Sequence, residues 1–192
     1  MEIFFAVKSD NADFLKTQLD MGLSPNEMLK VEEKDNIPNI FKYETPLLSI
    51  ASYYGSIKSL ELLLSADSID INKESHIFYK FRPIHYSIAN NQKECFDILQ
   101  QKSADLTVIL FSSVHFNNID FLNLILWNNL EDVNYYNSKN QPPAIIESIK
   151  NTKSTKIAQI LLEKGATYDD DLVEFCESNP EFKEFLEILN QY

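Results

Sequence analysis

Glycine, cysteine, histidine and arginine are all scarce in this 192-residue chain, and each shortage closes off a class of function. Three glycines leave little material for flexible linkers or for loops that cradle phosphate. Neither a P-loop, nor a dinucleotide fingerprint, nor a Gly-x-Ser-x-Gly elbow occurs, so no catalytic residues are expected. The two cysteines, Cys95 and Cys176, each fall inside an amphipathic stretch and read as small core residues rather than as a disulfide. His76, His85 and His115 stand far apart with no second His or Cys at ligand spacing, so neither a metal nor another cofactor is expected.

Positive charge is short as well. Seventeen Lys and Arg face twenty-nine Asp and Glu, for a formal net charge of -12. Nucleic acid and anionic membrane both demand clustered cations, so neither is expected as a partner, whereas a basic protein is. The same charge also serves simply to keep a chain soluble. The densest acidic run, Asp169-Asp170-Asp171, precedes a predicted helix, where carboxylates meet the positive end of the helix dipole. Its spacing does not match a calcium-binding EF-hand loop. No stretch approaches the roughly 20 apolar residues that cross a bilayer, and Met1–Val7 has no basic leader. These features predict a reducing, cytoplasmic compartment, with leaderless secretion as the other route.

What the chain does contain is a repeated phrase: a helix start, an apolar helix, a second apolar helix and a small polar stop. Thr45-Pro46-Leu47-Leu48 opens one copy and Asp70-Ile71-Asn72 closes it; Arg82-Pro83-Ile84-His85 opens the next and Ala104-Asp105-Leu106 closes that one. Thr45 reads as an N-cap with Pro46 at the first helical position. Further copies end at Gly22-Leu23-Ser24-Pro25-Asn26, Asp132-Val133-Asn134 and Gly165-Ala166-Thr167. The predicted modules span about 3–26, 45–72, 82–107, 108–134 and 142–168, followed by a terminal helix pair over 169–192, all in one domain. A module of this kind cannot bury its apolar face alone and stacks on its neighbours.

These residues resemble those of ankyrin-repeat proteins. The family's T-P-L-H opening is matched at Thr45–Leu48 and Arg82–His85, and its G-A-D-x-N ending at the closing phrases above, although no copy is complete and the fourth has lost its Thr-Pro. The resemblance implies an all-α repeat solenoid of about five helix-turn-helix modules, with projecting hairpin loops and a C-terminal capping helix pair. It also implies protein–protein binding, through hairpin fingers and a palm formed by the first helix of each module. In the family the T-P-L-H histidine, here His85, hydrogen-bonds near the helix start.

On that template the finger aromatics are Phe41 and Tyr43, then Phe78, Tyr79 and Phe81, then Tyr135 and Tyr136; the palm holds Tyr53, Tyr54, His115 and Phe116. Aromatics of this kind give large contact area at low entropic cost, but the same rings at a hairpin base pack inward. On an ideal strand Phe78 faces one way while Tyr79 and Phe81 face the other. Arg82, the single arginine, stands at a finger base, either to meet a partner carboxylate or to cap the helix. Trp127 either covers the edge of the inter-module core or stands exposed as an anchor. Three functions follow: a protein-binding module that is monomeric in isolation, a stoichiometric inhibitor or immunity protein against a basic toxin or enzyme, and a self-associating scaffold.

Overall fold

A computed structural model describes residues 2–31, 37–136 and 141–192. The chain divides into two compact units, Met1–Leu106 and Thr107–Tyr192. The first unit carries three helix pairs: α1 (Glu2–Lys8) with α2 (Ala12–Asp20), α3 (Leu47–Tyr54) with α4 (Ile57–Leu64), and α5 (Pro83–Ala89) with α6 (Lys93–Gln101). Helices of seven to nine residues are far below the roughly 12–15 at which an isolated helix becomes marginal, so stacking must hold them. First helices pack on first helices (α1 on α3, α3 on α5), and second helices on second helices (α2 on α4, α4 on α6). Phe4, Leu15, Leu47, Leu60, Ile84 and Phe96 fill the space between the rows.

The second unit holds α7 (Ile109–His115) with α8 (Ile119–Trp127), α9 (Ala144–Lys150) with α10 (Thr155–Glu163), and a last pair, α11 (Asp170–Ser178) and α12 (Lys183–Leu189). Asp169 caps α11 by accepting from the Leu172 N–H at 3.1 Å, so the acidic run meets the helix start as its position implied. Cys95 and Cys176 are free and buried, and burial pushes the Cys95 thiol up to about 12.

The repeat is written in the backbone as well. In each of the first five pairs the turn has one left-handed residue: Asp10 (φ 56°), Gly55 (70°), Asn91 (54°), Asn117 (53°) and Lys153 (51°). After the second helices come Gly22 (102°), Ser103 (63°), Asn129 (50°) and Gly165 (86°). A chain with three glycines therefore meets most of these demands with Asn, Asp, Ser and Lys, which carry the Cβ penalty of that region. Closing asparagines then tie successive modules. Asn26 Oδ1 accepts from the Asp70 N–H, Asn72 Oδ1 from Asp105, and Asn134 Oδ1 from Thr167, each at 2.8 Å.

The helix starts differ from the sequence expectation at Thr45. Its hydroxyl donates back to the Tyr43 carbonyl at 2.9 Å, and Thr45–Pro46 form a short strand, β2, antiparallel to β1 (Met28–Leu29). Helix α3 begins only at Leu47, because Thr45 and Pro46 are committed to pairing with the long loop before them. Helix α5 follows the expected pattern. Pro83 is its first residue and the Arg82 N–H donates to His85 Nδ1 at 2.9 Å. Module four, without Thr-Pro, opens on Val108, a β-branched residue held at φ 61°. The Glu131 carboxylate accepts from the Val108 and Leu110 N–H groups and so caps α7 in place of the missing phrase.

Candidate interaction surface

The long loop after the first module ends in a 3-10 turn over Asn39–Phe41, entered from Pro38. Its last residue, Phe41, points inward and is completely buried. The ring lies 5.7 Å from Phe4 on α1, 5.0 and 5.6 Å from Tyr53 and Tyr54 on α3, and 5.9 Å from Tyr86 on α5. Phe41 is thus a core residue rather than a finger contact: the loop folds back over the row of first helices. Tyr53 and Tyr54, expected on the palm, are only half-buried, yet much of what covers them is the chain's own phenylalanine. Burial and the neighbouring Tyr53 push the Tyr54 phenol up to about 12, and the Lys8 ammonium sits 5.1 Å above its ring.

The second finger is closed at its base. The Ser75 N–H and hydroxyl both donate to the Phe81 carbonyl at 2.9 Å. Lys80, at φ 51°, closes a turn by donating its N–H to the Ile77 carbonyl at 2.9 Å. No strand forms at the tip, yet the aromatics still separate. Phe81, at the base, is fully buried 5.6 Å from His85, while Phe78, at the tip, is 73% exposed. Tyr79 lies between them, half-buried, edge-on to Phe78 at 5.2 Å. Phe81 is therefore a second correction: it anchors the finger from inside.

Arg82 is a third. Its guanidinium bonds Asp105 and, at 3.2 Å, Glu74, so it ties the finger base to the end of its own module. Two internal carboxylates already occupy the fork that was a candidate for a partner's. Tyr43, by contrast, is 50% exposed. Its loop is joined to the Phe78 finger by the His76 N–H, which donates to the Glu44 carbonyl at 2.9 Å, and by His76 Nδ1 at 2.7 Å from the Glu44 carboxylate. Tyr43, Phe78 and Tyr79 thus belong to linked loops, with Phe81 and Arg82 bracing one of them.

In the second unit Tyr135 and Tyr136 are 42% and 49% exposed. His115 is partly exposed. It stacks on Phe111 at 5.6 Å, meets Phe116 edge-on at 5.0 Å, and its Nδ1 lies 2.7 Å from the carboxylate of Glu147. Glu147 is buried and its other oxygen accepts from Asn151 at 2.6 Å. Sequence reasoning missed Glu147, although an acid in the apolar register between Ile145 and Ile149 was a signal that it has an internal partner. Trp127 is 81% exposed, which removes the edge-covering reading. Among the described residues no group of His, Cys, Asp and Glu is arranged to hold a metal ion. No described helix is long and apolar enough to cross a membrane.

A family model for ankyrin repeats matches residues 3–109 in three copies. The chain belongs to the ankyrin-repeat family. Among solved structures it is similar to the human ASB11 ankyrin repeat domain, at 16% identity and a TM-score of 0.58, over 87% of this chain and 70% of that one. That likeness speaks for the all-α repeat fold alone. No curated protein matches the chain. Ankyrin repeats are generally protein–protein interaction modules and typically non-catalytic, so this ankyrin-repeat chain is read through its surfaces.

Proposed function

We propose that this protein binds a partner protein through its aromatic fingers, with Tyr43, Phe78 and Tyr79 as the contact residues of the first unit and Tyr135 and Tyr136 as those of the second. The observation that carries the reading is the exposure of Phe78, 73% on a finger whose base is locked by Ser75, Phe81 and Arg82. A large ring held at the tip of a rigid turn gives contact area with little entropy to lose, which is how binding hot spots are built. First-helix residues His115 and Phe116 contribute a palm face in the second unit. In the first, Tyr53 and Tyr54 contribute less, because Phe41 already packs on them. The protein works without catalysis and without a cofactor, as a monomer in isolation.

The test is capture from a lysate of the source organism by the wild type and by a Tyr43→Ser, Phe78→Ser double variant with an unchanged melting temperature. A partner retained only by the wild type supports the reading; equal capture by both removes these aromatics from the interface.

A second reading, a stoichiometric inhibitor of a basic enzyme or toxin, draws support from where the charge sits. Residues 169–192 carry eight carboxylates against the single Lys183, and all eight acidic residues are exposed. Binding through that helix pair would weaken steeply with added salt, whereas binding through the finger aromatics would change little.

A further inference from the structure

Trp127 is the chain's single tryptophan and, at 81%, its most exposed large apolar side chain among the described residues. It stands at the last position of α8, in the second unit, and shares no residue with the finger surface. Beside it lies a cavity of about 400 Å³ lined by Asn123, Leu124, Leu126, Asn128 and Lys164 as well as the indole. A second cavity of about 390 Å³ adjoins it through Leu126 and Lys164 and runs on past Glu131, Asp132 and Val133. Together they make a groove between the end of α8 and the turn that follows α10.

The polar groups along the groove are not equivalent. Glu131 is spent on the N–H groups of Val108 and Leu110, and Asp132 accepts from the Asn134 N–H at 2.7 Å. Asn128 donates its amide to the Leu124 carbonyl at 2.8 Å. Among the described residues Lys164 has no side-chain partner, and no acid lines the cavity between it and Trp127. At the Trp127 end the groove therefore offers an indole face, leucine side chains and one uncommitted ammonium; at the other end it offers carboxylates.

We propose that this groove is a second docking site, and that its occupant is a peptide segment of a partner protein carrying an Asp or Glu beside a large apolar residue. The apolar side chain packs on Trp127 and Leu126, and the carboxylate meets Lys164. The carboxylates of Glu131 and Asp132 set the direction, because an acid at that end meets like charge. The local preference is opposite to the one that the net charge of -12 implies for the molecule as a whole.

The test uses a display library of random dodecapeptides, fused at both ends so that no terminal carboxylate is free, selected on the whole chain. Enriched peptides are expected to carry an acid next to Leu, Phe or Trp. Synthetic copies built from residues other than tryptophan are expected to shift the emission of Trp127, which reports without interference because the chain has no other indole. Trp127→Ala should weaken binding by about thirtyfold, the equivalent of a hot-spot loss of about 2 kcal/mol. Lys164→Glu should abolish the preference for acid, and Phe78→Ser should leave binding unchanged. Both groove substitutions are at exposed positions, so melting temperatures should stay at the wild-type value. Enrichment without an acidic residue, no emission shift, or binding indifferent to Trp127→Ala or Lys164→Glu would overturn the proposal. Loss of binding in Phe78→Ser would place the peptides on the fingers instead.

Discussion

Two loops of the first unit have nearly the same vocabulary and opposite fates. Residues 37–44 carry Ile37, Ile40, Phe41 and Tyr43; residues 74–82 carry Ile77, Phe78, Tyr79 and Phe81. In the first, the ring with the most internal contacts is Phe41, in the body of a long loop that reaches back over α1, α3 and α5. In the second, the Ser75–Phe81 closure leaves only the tip free, so Phe81 turns in and Phe78 turns out. The length of a loop and the point at which it is closed decide whether an aromatic becomes core or surface. Residue type alone does not.

The sharpest way to break this contrast is to truncate each ring. Phe41→Ala should cost about 3–5 kcal/mol of unfolding free energy, as buried phenylalanines do, visible in urea or thermal denaturation. The matched Phe78→Ala should change stability by less than about 0.5 kcal/mol, since its ring leaves no cavity behind. Equal losses would mean that the tip is packed after all.

The comparison extends to helix starts. Helix α5 opens with Pro83 and the His85 bond, α7 with Val108 and the borrowed carboxylate of Glu131. Glu131→Ala should therefore destabilise the protein by about 1–3 kcal/mol, the cost of leaving largely buried N–H donors unsatisfied. Hydrogen exchange should quicken first at the start of α7.

Alkali should also erode stability. In the unfolded chain Cys95 and Tyr54 ionise near 9.0 and 10.0, whereas burial holds both up to about 12 in the folded protein. The folded state then keeps protons that the unfolded state loses. This contribution is complete below pH 9 and is lost as pH rises toward 12, so the melting temperature should fall across that window. A Cys95→Ala variant should show a shallower fall.

The last effect is a gain. Ser103 stands at the left-handed position that Gly22 and Gly165 fill after other second helices. Ser103→Gly should raise stability by about 1 kcal/mol, the relief of the Cβ penalty.

Much of the fold was legible in the order of residues because helix pairs and their stops are local. The opening phrases marked the starts of α3 and α5, and the closing phrases marked the asparagines that tie neighbours. The matched family model ends at residue 109, yet α7 to α10 continue the pairing beyond it. Legibility failed where a partner lies far along the chain. Arg82 meets Asp105 and Glu74, His115 meets Glu147 across 32 residues, and Val108 depends on Glu131. The finger surface was half legible: the loops were evident, but which rings leave the core was not.

By itself, the sequence determined a helix-pair repeat, its closing asparagines and its acidity, since repeated phrases, capping residues and charge are properties of neighbours along the chain. Tertiary structure alone decided that Phe41 and Phe81 are core, that Arg82 is already paired, and that Trp127 and Phe78 remain outside. Exposure is what is left after every element has packed, and no single segment contains that information.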